Sequence, residues 1–399
     1  MKIAVYSDNF YPELSGISDS LVEVAGALDR LGEVVDFYVP RYSRENFATS
    51  HLPYQEVVMG ENVRVHRLFS LSYPTPTKQG RLVIPFWGMR MLPLFRNKPD
   101  IVHTHLFFGA GMEALLMAFF LRRPLVGTSH TPLSEFLHYG PLHGPLFEHL
   151  ALRLVSWYYN RCDFVTAPSQ GIIDEMRRHG FVRPAKVISN PIDLAHFFPA
   201  VPEEYTALKK SFNLGSFTLL YTGRLAPEKH IDDIIRAMAI LKERIPEMDL
   251  VITGHGESDQ ELKDLARELG LASRVHFLGT VSSEDHARIY RAADVFCIMS
   301  TAETQSLSMM KAMATGIPVI GARARGLAEY IKDDHNGFLV EPHDVEILSE
   351  KILYLYEHRE ERKRLGQGGL TTVKQFESSV IAREWQKLYR EVLAQKSGQ

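Results

Sequence analysis

Cysteine is nearly absent from this chain: there are two, Cys162 and Cys297, far apart and outside any CxxC pair. That excludes a disulfide-stapled scaffold and a thiolate zinc site, and it fits a reducing cytoplasm. Long apolar runs are missing too. None approaches the roughly 20 residues that a membrane-spanning helix needs, so any membrane contact is expected to be peripheral. The opening KIAVYS, residues 2 to 7, reads as a strand start and not as a secretion signal. Neither charge sign dominates: 45 Lys plus Arg against 48 Asp plus Glu give a formal net charge of -3, which argues against nucleic acid as a partner. The GxxxxGK[ST] phosphate loop is absent, and so is any repeat of solenoid length.

What is present is the composition of a globular protein, 45% hydrophobic and 23% charged, in a chain of 399 residues that suits two domains. The first half alternates strands and helices. Lys2 to Ser7 reads as a buried parallel strand, DNFYPELSGIS as a loop, and the stripe Leu21, Val24, Ala25, Leu28, Leu31 as a helix from Ile17 to near Gly32. Val34 to Val39 is the next strand, which completes one β-α-β unit. Gly16 lies where a ligand could approach the backbone closely, or it only permits the turn. Residues 41 to 80 read as irregular apart from VRVHRL. In RLVIPFWGMRMLPLFRNK, residues 81 to 98, Arg81, Arg90, Arg96 and Lys98 interleave with Phe86, Trp87, Met89 and Leu92, a mixture that suits anionic lipid headgroups or a buried connection with Arg side chains reaching solvent. His103, His105 and His130 fall at predicted strand ends, the edge where open α/β sheets bind ligands. No metal-ligand spacing accompanies them, so polar contacts to a ligand are expected. The turn-rich stretch from Asn190 to Pro199 reads as the domain boundary.

The second half restarts the pattern. Phe217 to Thr222 is a strand, followed by GRLAPEKHIDD, where Gly223 permits a tight turn and Arg224 and Lys229 place two cations beside a helix start, an arrangement suited to a diphosphate. Further on, STAETQSLSMMKAMATGIPVIG, residues 300 to 321, reads as a loop with one acid, Glu303, a helix through Leu307, Met310 and Met313, a stop at Gly316, and a strand over Ile317 to Ile320. The helix N-terminus offers amides to an anion. The final stretch, Ser379 to Gln395, is an amphipathic helix.

Taken in order, YPELSGIS, DIVHTH, SHT, SNPID, GRLAPEK, GHGE, FLGTV, AADVFCIMS, AETQSLSMMKAMATGIPVIG and HNGFLV span nearly the whole chain. The set resembles the retaining nucleotide-sugar glycosyltransferases of the two-Rossmann-domain (GT-B) type, group 1 or family 4. The resemblance implies an α/β fold of two facing Rossmann-like domains with an interdomain cleft: residues 1–195 for the acceptor, 200–375 for the nucleotide sugar, and a helix at 379–399 returning to the first domain. It implies a nucleotide diphosphate-sugar donor and no metal, because Arg224 and Lys229 take the place of a divalent ion. It assigns Glu303 to the donor sugar hydroxyls, and Gln305, Ser306 and Leu307 to phosphate and sugar through their amides. His105 is placed near the reacting carbon. Gly16, Gly223 and Gly254 line the donor. His130, Tyr139 and Trp87 fall on the acceptor side.

The departures are specific. Lys311 stands where the family places a second Glu for the ribose hydroxyls, and a cation cannot accept those hydrogen bonds. His230 stands where a Gly often follows the Lys. A single Gly before Ile17, and ETQ at 303 to 305, are similar to the branch that glycosylates diacylglycerol, so an anionic membrane surface and a lipid acceptor are implied. Ser283 and His286, after FLG, favour a uridine over a guanosine diphosphate donor. The alternatives are a GDP-mannose-dependent mannosyltransferase and, because of Lys311, a weakly active sugar-nucleotide-binding homologue.

Overall fold

The computed structural model describes residues 1–13, 15–50, 52–73, 79–84, 98–130 and 144–397. The chain divides into two compact units, one of Met1–Pro191 with Ser378–Gln399 and the other of Ile192–Glu377.

In the first unit β1 (Lys2–Ser7), β2 (Val34–Pro40) and β3 (Val63–Leu68) are followed by a short pair, β4 (Ser70–Ser72) and β5 (Arg81–Val83), and then by β6 (Ile101–His105), β7 (Leu125–Thr128), β8 (Phe164–Ala167) and β9 (Ala185–Val187). Seven of them form one sheet in the order β3-β2-β1-β6-β7-β8-β9, while β4 and β5 pair with each other. Every neighbour in the large sheet is parallel. Strands buried on both faces can be apolar throughout, which is why Ile3, Val5, Val102 and Val126 read as continuous runs. The strand order reverses direction between β1 and β6, where Ser7 and His105 are register partners. Such a switch point opens a crevice at the strand C-ends.

The helix Gly16–Arg30 begins where Ser15 Oγ accepts from the Ser18 amide at 3.1 Å. Its buried Leu21, Ala25 and Leu28 face the core, and the long C-terminal helix Ser378–Ser397 packs against it. That last helix buries Ile381, Trp385, Leu388, Tyr389 and Val392 along one face, each worth roughly 2 kcal/mol of apolar burial. It is tied into the sheet by His103, whose Nδ1 lies 2.8 Å from Tyr389 Oη while Nε2 lies 2.7 Å from Thr128 Oγ1.

In the second unit β10 (Phe217–Thr222), β11 (Met248–Thr253), β12 (Val275–Gly279), β13 (Val295–Ile298), β14 (Val319–Ala322) and β15 (Gly337–Val340) form a parallel sheet in the order β12-β11-β10-β13-β14-β15. Its switch point falls between β10 and β13.

The structure departs from the sequence reading in detail. β14 starts at Val319 and not at Ile317, because Pro318 has no N–H for the ladder and serves only as acceptor, to Phe296 N at 3.0 Å. The stretch read as irregular holds the helix Arg44–Thr49, opened by a Ser43–Asn46 capping box, while VRVHRL, read as strand-like, is β3 and joins the main sheet. The helices Pro145–Tyr159 and Pro202–Ser211 each open with Pro in the first turn, a start signal that the sequence reading passed over.

Burial pushes the His103 imidazolium down to about 3, so the ring is neutral in the folded unit. An unfolded histidine takes a proton near pH 6.5. His103 therefore contributes stability above that pH which is lost as pH falls from 6.5 toward 3. A His103→Gln variant removes this term. The difference in unfolding free energy between wild type and variant should shrink by about 1.4 kcal/mol for each pH unit below 6.5. A difference that stayed constant between pH 7 and 5 in chemical denaturation would show that the ring is not held neutral.

Candidate active site

The sequence-predicted cations follow β10, and the acid Glu303 follows β13, so both lie at the switch point of the second unit. Lys229 ends a single turn of 3-10 helix, Pro227–Lys229. Its Nζ lies 2.6 Å from Glu303 Oε1 and 3.5 Å from Ser300 Oγ. The backbone joins the same two segments, with Thr301 N donating to Glu228 O at 3.2 Å. Arg224 is held differently. One guanidinium nitrogen pairs with Glu228 and another lies 3.2 Å from Glu257 Oε1. The two cations are therefore positioned by three carboxylates, Glu228, Glu257 and Glu303. The first two escaped the sequence reading, although they stand inside the GRLAPEK and GHGE motifs that it quoted.

Glycines and one tyrosine fix the turn that carries Arg224. Gly223 has φ +152 and Gly254 has φ +115, conformations that favour glycine. A Cβ on Gly254 would lie 1.9 Å from Gly223 O, and one on Gly256 would lie 2.0 Å from Leu225 O. Such contact lets Gly223 N donate to Thr253 O and Leu225 N to His255 O, both at 3.1 Å. From the other side the buried Tyr221 hydroxyl donates to Arg224 O at 3.0 Å.

Past Glu303 the chain enters the helix Leu307–Ala314. Ser306 is its N-cap and accepts from the Met309 amide at 3.3 Å. Amides in a first helical turn have no carbonyl partner within the helix, which suits such a turn to an anion. The helix closes at Gly316, with Ile317 N donating to Ala312 O and Gly316 N to Met313 O. Tyr290 Oη donates to Ser308 O at 3.0 Å and therefore accepts from Thr222 Oγ1, 2.6 Å away, which clamps this helix start to the end of β10.

Other predicted donor residues lie in the same unit with distinct surroundings. The Lys311 ammonium sits over the Phe197 ring, 5.3 Å from its centroid. His286 is partly buried; desolvation, with help from Lys311 and His196, holds its imidazolium down to about 3. Ser283 opens the helix Ser283–Ala292, and its carbonyl lies 3.1 Å from His196 Nε2.

The first unit has its own cluster. Gly16 opens the helix Gly16–Arg30, and the loop before it is tied by Asn9, whose Oδ1 accepts from Ser15 Oγ and Ser18 Oγ at 2.7 Å each. At the ends of β6 and β7, His105 Nδ1 lies 2.8 Å from His130 Nε2. Burial holds His130 down to about 4 and His105 well below the usual imidazole range, so this is a hydrogen bond between neutral rings. A pocket beneath them is lined by Ser20, His103, His105, His130, Asn190 and Trp385. Sequence reasoning missed Asp8. It accepts from Ala110 N at 2.7 Å, and burial raises its carboxyl to about 6. Trp87 and Tyr139, assigned to the acceptor side, lie outside the described residues, as does most of the basic, aromatic stretch at 81 to 98.

Two parallel Rossmann-like sheets, one ending in fixed cations and the other in neutral imidazoles, define the class: an α/β protein of the GT-B fold that acts as a glycosyltransferase. The family models agree. Glycosyltransferase Family 4 matches residues 14–196 and Glycosyl transferases group 1 matches residues 206–371, so the two together account for most of the chain. The chain belongs to this family of glycosyltransferases. It is similar to the alpha-monoglucosyldiacylglycerol synthase of Acholeplasma laidlawii, 25% identical with 98% of each chain covered. The Streptococcus pneumoniae protein of the same name is 26% identical over 85% of this chain and 75% of its own. A GDP-mannose-dependent alpha-mannosyltransferase of Corynebacterium glutamicum is 27% identical over 86% of this chain and 77% of its own. Among solved structures, Anabaena HepE in complex with UDP superposes with a TM-score of 0.75 at 22% identity, covering 98% of this chain and 100% of that one, which establishes the shared fold.

The contact between Gly254 and Gly223 is backbone on backbone, so no side-chain adjustment can relieve it. Gly254→Ala should lower the melting temperature and also weaken nucleotide binding at least tenfold, because Arg224 moves with its turn. Calorimetric titration on the folded fraction checks this; a variant binding nucleotide like wild type would show that the turn does not set the Arg224 position.

Proposed function

We propose that this glycosyltransferase retains anomeric configuration and moves a hexose from a uridine diphosphate donor to a membrane lipid such as diacylglycerol, without a metal. The observation that carries the proposal is the convergence of Lys229 and Glu303 at the second switch point, with Arg224 held by the neighbouring turn. When the anomeric C–O bond breaks, negative charge grows on the departing diphosphate. Lys229, Arg224 and the amides at Ser306 and Leu307 are fixed before that charge develops, so stabilising it costs little reorganisation. Glu303, as carboxylate, accepts from sugar hydroxyls and orients the ring. The acceptor hydroxyl attacks the anomeric carbon from the face the diphosphate leaves, and its proton passes to the departing phosphate oxygen, the nearest base on that face. His105, neutral and partnered by His130, contributes hydrogen bonds near the sugar but no charge.

The lipid acceptor draws support from the two diacylglycerol synthases and from one surface. The helix Pro145–Tyr159 exposes Leu146, Leu150, Leu154 and Trp157 at 73%, 56%, 56% and 43%, a stripe beside the exposed Arg153. An exposed apolar stripe of this kind, with Arg153 beside it and the acid Glu148 in the first turn, suits a peripheral contact with lipid. Among the described residues no helix is long and apolar enough to cross a membrane. A GDP-mannose-dependent reaction is the second reading, favoured by the Corynebacterium relative.

Three measurements test this. Uridine diphosphate should raise the melting temperature by preferential binding to the folded state, and guanosine diphosphate should not; the reverse order would select the second reading. Lys229→Ala should slow transfer by about 10²-fold or more while the fold survives, as expected for loss of a group that meets developing charge; near-normal turnover would remove the clamp. Anionic liposomes should sediment the protein in a salt-sensitive manner, and a Leu150→Glu, Leu154→Glu double variant should stay in solution with its nucleotide response intact. Equal sedimentation of both would exclude this stripe.

A further inference from the structure

Beyond the diphosphate cluster, the residue immediately after Lys229 takes part in a second constellation. His230 caps the helix Ile231–Leu241 with φ 46 and ψ 47, a left-handed conformation in which glycine is easier to accommodate. Asp233 follows one turn later on the same helix, and His343 comes from the turn after β15. Ligand atoms of His230, Asp233 and His343 all lie within 4.8 Å of one another. The two imidazoles meet edge to face, 4.3 Å between centroids.

Asp233 supplies the independent observation. It is 4% exposed, and its Oδ2 is buried without a hydrogen bond. His343 Nδ1 lies 3.3 Å from that oxygen, in contact but without donating to it in good geometry. Two ligands on one tetrahedral zinc ion, with bonds of about 2.0–2.1 Å, stand about 3.3 Å apart. His230 completes the set. One of its ring nitrogens lies within 4.8 Å of the other two ligand atoms, and the ring also has a polar neighbour in Thr301 Oγ1, 3.5 Å from Nε2, of the kind that outer-shell partners supply to metal-binding histidines. A plain ion pair between His343 and Asp233 would leave His230 turned into the cluster without a role, and His343 is too exposed, at 62% of its side chain, for such a pair to hold much.

We propose that His230, Asp233 and His343 form a site for a divalent cation of the zinc class, outside the Arg224 and Lys229 cluster, and that its occupancy fixes the turn carrying Lys229. Two imidazoles and one carboxylate leave a fourth tetrahedral position for water. The site pins the start of the helix Ile231–Leu241 to the turn after β15, so it acts on Lys229 through the adjoining backbone and does not touch the reacting atoms.

The test uses the full chain, stripped with EDTA and titrated with zinc chloride by calorimetry. One zinc per chain is expected. His343→Ala, at an exposed position, and His230→Gly, which suits the left-handed backbone, should both fold, and each should weaken binding at least tenfold. Zinc should raise the melting temperature of the wild type and leave that of both variants unchanged. Absence of stoichiometric binding, or binding retained in either variant, overturns the site. Amide exchange across residues 226–231 should slow with zinc in the wild type alone; unchanged exchange despite tight binding overturns the link to Lys229.

Discussion

A lysine ammonium held against a carboxylate at the end of a buried parallel strand sets the rest of the second unit in order. Lys229 and Glu303 come from loops seventy-odd residues apart in sequence, and only the adjacency of β10 and β13 brings those loops together. Neither group could stay in place alone. A half-buried cation without a partner loses solvation that nothing returns. With the partner present, the pair holds a site charged and shaped for a polyanion. An arriving diphosphate competes for groups already in position, so the reorganisation that would oppose catalysis has been completed during folding.

The backbone around the pair follows from the same need for closeness. Gly223, Gly254 and Gly256 let two loops lie against each other with no side chain between them, and Tyr221 and Tyr290 tie those loops to the sheet and to the helix Leu307–Ala314. Rigid strands end where mobile chemistry is wanted, and short glycine turns carry the functional groups the last few ångströms. In the first unit the device differs. His105 and His130 are buried as a neutral pair, and Asp8 is raised toward neutrality by the same lack of water. At the strand ends, one unit holds a lysine–glutamate pair, and the other holds a neutral histidine pair and a carboxyl raised to about 6. That division matches a reaction in which charge builds on the leaving diphosphate while the sugar and its acceptor offer only hydroxyls.

Much of this could be read from the chain alone, and the reasons for the exceptions are physical. Strand cores such as Leu219 and Ile252 announce themselves because a doubly covered parallel sheet admits apolar residues at every position. Lys229 stood out as a cation after a glycine turn, whereas Glu303 could equally have been a surface acid on local pattern and was singled out through the family resemblance; the structure brings the two together. Glu228 and Glu257 were not legible, since a glutamate in a loop looks the same whether it faces solvent or an arginine. Asp8 was hidden for a related reason: its partners are backbone amides of Ala110 and Gly111, and no sequence pattern marks an amide as pointing inward. His103 read as one of three ligand-side histidines, yet its two ring nitrogens are spent on Thr128 of the neighbouring strand and on Tyr389, from a helix nearly three hundred residues away.

Lys311 shows how a departure from a family pattern can be absorbed. The family pattern places a carboxylate there for the ribose. An ammonium at the same point on the helix cannot accept hydrogen bonds, but it can lie on the face of Phe197, where the ring quadrupole attracts it, beside a histidine that burial keeps neutral. His286 in its charged form would repel the lysine, so the same burial that removes the proton from His286 makes room for the cation. The substitution thus exchanges one polar acceptor for a cation, an aromatic face and a neutral imidazole. If a nucleoside lies at this end of the site, as the family resemblance implies, it meets an ammonium and ring faces in place of an acid, and recognition would pass from the ribose hydroxyls toward the base and the phosphates.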